Sequence, residues 1–431
     1  MKILFIHQNF PGQFRHLAPA LAARGHEVRA LAITPRGSLP GVAVHPYRLG
    51  RGNAPGVHPF AAEFETKVIR GEACARQMAA LRAQGFVPDL VVAHPGWGEA
   101  LFVRDVFPGT RYLAFLEYHY GTPGGDTGFD PEFPVGGVAA TAKLRVKNAA
   151  NLLTYESMDW GLSPTHWQRS RIPQEWRDRV SVIFDGIDTG RVRPDAGARF
   201  DFVDASGATR TLRTGDEVVT FVNRNLEPYR GYHSFMRALP ALQRLRPNAQ
   251  VLIVGEAGVS YGAKPPDGGT WRQRYLDEVG DRIDPARVHF LGWLDHARFV
   301  SLLQVSACHV YLTYPFVLSW SCVEAMAAGC LVVGSDTAPV REVIEHRRNG
   351  LLVDFFDHEA IAATVADALA RPAAHAGLRA AARRTAVRHY DLAGVCLPAQ
   401  IALLETLGAG GTPSAPTAPP TAPPTDQERT G

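Results

Sequence analysis

Arg224 and Arg230 flank the stretch Asn225-Leu226-Glu227-Pro228-Tyr229, and Gly231 follows directly. Two guanidiniums in one short loop offer planar forks of donors to diphosphate oxygens and neutralise charge building on a leaving group. The glycine beside them keeps the start of a helix open to a ligand. A second stretch, Tyr314–Cys330 (YPFVLSWSCVEAMAAGC), reads as an irregular loop, a short helix over Ser321–Ala328 and a stop at Gly329. The unsatisfied N–H groups opening such a helix, with its dipole, suit an anionic oxygen. Ser319 and Ser321 add hydroxyl donors, and Glu324 lies one turn in. There a carboxylate either accepts from two vicinal ribose hydroxyls or serves as a favourable N-terminal helix charge.

In the first half of the chain, Gly12, His94 (in AHPGWGEA), Glu117 and His119 (in FLEYHYG) each follow a short apolar run. Gly12 would let backbone approach a phosphate. Glu117 and His119 suit positioning of an acceptor and general-base assistance, and His94 is either a third acceptor-side group or a hydrogen-bonded loop histidine. Asp126, Asp130 and Glu132 sit in GGDTGFDPEF, whose spacing matches no calcium loop. That segment reads as a mobile loop on the acceptor side.

These residues need elements to hold them. Short apolar runs alternate with amphipathic helical stretches, the pattern of βα units around a parallel sheet. Lys2–Ile6 reads as a strand; Phe14, Leu17, Ala18, Leu21 and Ala22 share a helix face, and Gly25 stops it. Val28–Ile33, Leu90–Ala93, Tyr112–Leu116, Asn151–Leu153 and Val180–Phe184 are further expected strands. A polar connection runs from Asp185 to about Gly215. The alternation then restarts with Val218–Val222, Gln250–Val254, Val288–Leu291, His309–Leu312 and Leu331–Val333. The expected organisation is an α/β chain of two facing Rossmann-like domains across a central cleft, residues 1–195 and 196–390. A helix over 391–407 is expected to return to the first domain. Residues 408–431, rich in Pro, Thr and Ala, cannot bury a core and are expected to be disordered. Ligands of doubly wound sheets bind beyond the carboxyl ends of the strands, where every residue above falls.

Composition narrows the function classes. The chain carries 45 basic and 42 acidic side chains, a net charge of +3, which does not point to nucleic acid as a partner. Five cysteines without CxxC pairing read as buried thiols rather than a zinc site or disulfides. Without a signal-like or membrane-spanning stretch, a cytoplasmic location is expected. The basic run Lys143, Arg145, Lys147 is either a solvated face or a contact with the inner membrane surface. No GxGxxG with a following ribose-binding acid supports a nicotinamide enzyme. Oligomeric state is left open.

The order of motifs resembles glycosyltransferase family 4, whose GT-B fold pairs two Rossmann-like domains. Arg224, Arg230 and Gly231 fall on the family's Arg, Lys and Gly of a G-R-L-x-x-x-K-G-like stretch, and Glu324-Ala-Met-Ala with Gly329 on the second half of its E-x7-E segment. FIHQNFPGQFRHLAPALAARGHEV, LSPTHW, FDGIDT, APVREVI and NGLLVD resemble other family elements in the same order, up to about Leu407. The HQNFPGQFRHLAPALA start is similar to that of one subgroup. The resemblance implies a retaining enzyme that moves a sugar from a nucleoside-diphosphate donor to a glycan, lipid-linked or small-molecule acceptor, without a metal or other cofactor. It implies Arg224 and Arg230, with Glu117 and His119, as the catalytic set. Gly12, Gly255, Phe316, Ser319, Trp320, Ser321, Cys322 and Glu324 join the two arginines on the donor side, and His94 joins Glu117 and His119 on the acceptor side. One departure stands out: Phe316 occupies the place of the family's first glutamate, eight positions before Glu324. Two other readings share the fold, a nucleotide-sugar 2-epimerase and a nucleotide-binding partner subunit without catalysis.

Overall fold

A computed structural model describes residues 1–121 and 124–414. The chain forms two compact units: Met1–Gly186 together with the segment from Ala393, and Ile187–Leu392. Unit 1 carries seven parallel strands: β1 (Lys2–Ile6), β2 (Glu27–Ala32), β3 (Val42–Pro46), β4 (Leu90–Ala93), β5 (Arg111–Phe115), β6 (Trp160–Ser163) and β7 (Val180–Val182). Their order is β3-β2-β1-β4-β5-β6-β7. The inner strands read as unbroken apolar runs because helices cover both faces of the sheet. Leu4 and Ile6 pack with Cys74, Met78 and Leu81 of the helix Ala62–Ala83. Ile3 and Phe5 face the other way, into a core shared with Leu17 and Leu21 of Leu17–Ala23 and Leu403, Leu404 and Leu407 of Leu397–Gly408. Arg24 and His26, around the helix stop at Gly25 (φ 87°), hold Glu405 at 2.8 and 3.1 Å and so pin that last helix to unit 1.

One expected strand is corrected. Asn151–Leu153 lies in the helix Ala149–Ser157, which buries Ala150, Asn151, Thr154 and Tyr155 and leaves Leu152 and Leu153 exposed. A two-leucine run says nothing about period; the burial of Ala150 and Thr154, four residues apart, is that of a helix. The strand comes later, at Trp160–Ser163.

Unit 2 opens with an antiparallel hairpin, β8 (Arg199–Val203) and β9 (Thr209–Arg213), inside what composition presented as a structureless connection. Phe200 and Phe202 alternate inward from Asp201 and pack with Leu302 and Val305. The unit boundary also falls before the expected 195/196, because Ile187 hydrogen-bonds Tyr390 and Leu392 through the backbone. Six parallel strands follow, β10 (Val218–Asn225), β11 (Gln250–Glu256), β12 (Val288–Gly292), β13 (Cys308–Tyr311), β14 (Leu331–Ser335) and β15 (Leu351–Val353), in the order β12-β11-β10-β13-β14-β15. In both sheets the first parallel strand sits inside, β1 between β2 and β4 and β10 between β11 and β13, so each carries a topological switch point at its carboxyl edge. No helix among the described residues is long and apolar enough to cross a membrane. The proline-rich tail beyond residue 414 lies outside the described residues.

Candidate active site

The carboxyl edge of the second sheet collects the expected donor-side residues. Arg224, near the end of β10, is exposed. The chain then turns through Pro228–Arg230 to Gly231, whose φ of 70° starts the helix Tyr232–Leu245. Arg230 is 4% exposed. Its Nη1 donates to Thr313 Oγ1 at 2.9 Å and to the Val317 carbonyl at 2.8 Å, and its guanidinium lies 5.1 Å from the Tyr261 ring and 5.6 Å from that of Phe316. Burial opposes the charge, but the phenols of Tyr311 and Tyr261, with Glu227, outweigh it and raise the Arg230 pKa. Arg230 therefore braces the loop between β13 and the next helix from inside, whereas Arg224 faces solvent.

Glu227, to which the sequence assigned no role, is fully buried. It accepts the backbone N–H groups of Ser260, Tyr261 and Gly262 at 3.0–3.3 Å, fixing the loop that carries Tyr261. Its signal was an acid enclosed by Leu226 and Pro228 between two arginines. Phe316 is 3% exposed and meets Tyr261 at 4.9 Å and Tyr229 at 5.5 Å. An aromatic cluster thus occupies the place where a carboxylate was expected, packed around a buried cation.

The following helix runs over Trp320–Ala328, one residue earlier than expected, and ends at Gly329 (φ 82°). Ser319 is its N-cap, but the Ser319 hydroxyl makes no capping bond; its N–H donates to Tyr311 Oη at 2.8 Å. Trp320 and Ser321 are half-buried. Cys322 is fully buried, and burial pushes its thiol pKa up. Glu324 is 6% exposed and its Oε1 accepts from His296 Nε2 at 2.8 Å. Gly255 (φ 151°) closes in on β10: a Cβ there would lie 2.9 Å from the Asn223 carbonyl oxygen and from Leu226 Cδ2.

At the carboxyl edge of the first sheet the structure changes the expected pairing. His94 Nδ1 accepts from the Gly96 N–H at 3.2 Å, which leaves the proton on Nε2, 3.3 Å from Glu117 Oε2. The His94 ring stacks on Trp97 at 4.3 Å and on Phe115 at 5.6 Å. His119 turns elsewhere: its Nδ1 is 3.1 Å from Tyr155 Oη, and burial holds its pKa down to about 4. His94 Nε2 thus lies against Glu117, while His119 is turned toward Tyr155. Glu117 and His119 are two residues apart in the sequence, but in the loop after β5 they take different partners. His7, directly after β1, joins this group. Its Nε2 donates to Gln13 Oε1 at 2.8 Å, its Nδ1 accepts the Asn9 N–H at 3.0 Å, and its ring packs edge-on to Trp97 at 5.0 Å. Gly12 (φ 49°) is required beneath it, since a Cβ would lie 2.4 Å from the imidazole. Asp126 and Asp130 are buried; Asp126 accepts from Tyr118 Oη at 3.0 Å and Asp130 from the Glu132 N–H at 2.9 Å, so this segment is anchored to the fold. Lys147 lies over the Tyr120 ring at 3.8 Å.

A family model described as glycosyl transferase family 4 group matches residues 24–192, and one described as glycosyl transferases group 1 matches residues 207–385. The chain is a family 4 glycosyltransferase. It is 25% identical over 419 residues to the glycogen synthase of Mycobacterium tuberculosis, covering 91% of each chain. It is 26% identical over 273 residues to a GDP-mannose-dependent phosphatidylinositol monomannoside mannosyltransferase of Mycolicibacterium smegmatis, covering 59% of this chain and 61% of that one. Among solved structures, sucrose-phosphate synthase from Thermosynechococcus elongatus aligns with a TM-score of 0.68 at 19% identity, and Anabaena HepE in complex with UDP with 0.64 at 18%. Each alignment covers 95% of this chain and 100% of that chain, and the likeness establishes the GT-B fold.

Among the described residues of this glycosyltransferase, no group of three or more His, Cys, Asp and Glu side chains is arranged to hold a metal ion. Its buried histidines carry a pH signature. Burial, with His94 beside it, pushes His7 from 6.5 down to about 3, and burial alone does the same to His309. Both are neutral in the fold, while the unfolded chain binds protons near 6.5. Their stabilising contribution is therefore complete above that pH and is lost as pH falls toward 3, by up to about 1.4 kcal/mol per pH unit for each histidine. Urea midpoints should drop steadily between pH 7 and pH 5, and less so in a His7→Asn variant. A midpoint flat over that range would contradict the neutral state of both rings.

Proposed function

We propose that the protein is a retaining glycosyltransferase that binds a nucleoside-diphosphate sugar at the carboxyl edge of the unit 2 sheet and takes its acceptor at the corresponding edge of unit 1. The observation that carries the reading is the convergence there of Arg224, the Arg230-braced loop, the start of the helix Trp320–Ala328 and Glu324. Arg224 and the helix start hold the diphosphate, Arg230 keeps that loop in place, and Glu324 accepts from ribose hydroxyls. The UDP and UDP-glucose bound to HepE, and the GDP-mannose named for the mycobacterial relatives, support a nucleotide-sugar donor.

In the proposed reaction the acceptor hydroxyl attacks the anomeric carbon from the face the diphosphate leaves. The bond from that carbon to the phosphate oxygen breaks, the new glycosidic bond forms on the same side, and the hydroxyl proton passes to the departing oxygen. Charge builds on the diphosphate, where Arg224 and the helix N–H groups oppose it. Glu117, backed by His94, orients the acceptor hydroxyl. The Phe316 ring offers no acceptor for sugar hydroxyls, so the donor sugar is expected to differ from one held by a carboxylate at that position. The chemistry needs no divalent metal.

The test is product analysis by NMR with UDP-, GDP-, ADP- and dTDP-sugars across an acceptor panel. An acceptor-dependent product with the donor's anomeric configuration, formed equally in EDTA, is expected. An inverted product refutes the front-face course. Epimerised donor without acceptor supports the 2-epimerase reading instead.

A further inference from the structure

We infer that His296 is a positioning residue for Glu324, fixing that carboxylate so that its second oxygen recognises the donor's ribose hydroxyls. The inference rests on the reading of unit 2 as the nucleotide site, and it concerns a residue that no motif points to. Glu324 is 6% exposed, and burying a carboxylate without a donor is costly. The donor it finds is His296 Nε2, at 2.8 Å from Oε1. These residues belong to different βα junctions: Glu324 lies in the helix after β13, and His296 opens the helix His296–Val305 after β12.

The imidazole is itself held in place. His296 is the first residue of its helix, and the preceding Asp295 caps that helix by accepting the N–H groups of Ala297 at 2.9 Å and Arg298 at 3.0 Å. The cap fixes the helix start from which the His296 ring reaches across to Glu324 Oε1. Oε1 is therefore committed to His296, and the Glu324 carboxylate keeps one orientation. A pair of vicinal hydroxyls then meets a fixed acceptor rather than a rotor, so less freedom is lost on binding. His296 keeps 35% of its side chain exposed, against 8% for Glu324, so the pair sits at the surface of the edge and not in the core. Sequence gave no hint of this, because the two residues are 28 positions apart and His296 follows a generic Leu-Asp cap.

The experiment is isothermal titration of wild type, His296→Ala, His296→Gln and Glu324→Gln with whichever of UDP, GDP and ADP binds wild type most tightly, and with the 2′,3′-dideoxy form of the same nucleotide. Wild type should prefer the ribonucleotide by about tenfold or more, the order expected for a hydrogen bond to a charged group. His296→Ala should lose most of that preference by weakening the ribonucleotide alone. His296→Gln, which keeps a donor, should recover much of it. In turnover assays KM for the donor should rise in His296→Ala while kcat at saturating donor changes little. A merely structural role would weaken both nucleotides alike. A preference kept in His296→Ala but lost in Glu324→Gln would overturn the role of His296. A wild type without measurable affinity for any of the three nucleotides would instead overturn the nucleotide site beneath it.

Discussion

Replacing Arg224 with Ala is expected to lower kcat by roughly 10²–10³-fold, the scale seen when one donor to a developing anion is removed, while changing stability by less than about 0.5 kcal/mol. The asymmetry follows from exposure. Arg224 stands open at the end of β10, so its removal leaves no buried group unpaired. Arg230→Ala should behave differently, although the two arginines look alike in sequence. Its truncation leaves Thr313 and the Val317 carbonyl without their donor and empties the space beside Phe316 and Tyr261. A cost of about 2–4 kcal/mol is expected with the loss of turnover, by way of a displaced loop. Single-turnover rates and urea midpoints measured on both variants separate the two roles. Wild-type turnover in Arg224→Ala would remove it from the diphosphate site, and an undiminished midpoint in Arg230→Ala would deny its bracing function.

Gly231→Ala is expected to be the most damaging single methyl in the site. At φ 70° an L-residue is strained, and the added Cβ would lie 2.2 Å from Leu312 Cβ, an atom too close to the backbone to rotate aside. Left-handed strain and overpacking together cost roughly 2–5 kcal/mol. Relief requires β13 and the Pro228–Gly231 turn to separate, which carries Arg230 away from Thr313 and Val317. Turnover should fall by roughly tenfold or more even in the fraction that stays folded, since small misplacements of a site are costly. Denaturation midpoints alongside activity normalised to folded protein provide the check, and a variant as stable as wild type would refute the crowding.

Much of this was legible in the sequence. Lys2–Ile6 and Leu90–Ala93 could be read to the residue because strands covered on both faces show as unbroken apolar runs. Gly25 and Gly329 stop their helices where a left-handed residue is needed. What the sequence hid is set by distant partners. Arg230 reads as a surface cation until Thr313 and Val317, more than eighty residues on, enclose it. His7 looks like a loop residue until Trp97 and His94 close around it. Glu117 and His119 sit two apart and were expected to act together, but the chain after β5 is not a regular strand. Period-two and period-3.6 arguments do not apply to such a segment. The Phe200-Asp201-Phe202 alternation was visible, but charged neighbours masked it.

The last helix has a bearing on how the molecule is made. Leu403, Leu404 and Leu407 complete the core that Ile3, Phe5 and Leu17 begin, so unit 1 is built from both ends of the folded chain and unit 2 is spliced between them. During synthesis the first sheet emerges early, yet the part of one face that Leu17–Ala23 does not cover stays open until the whole of unit 2 has left the ribosome and Leu397–Gly408 follows. The unit started first is therefore finished last. A nascent chain stalled before Leu397 would display an apolar surface that chaperones must shield.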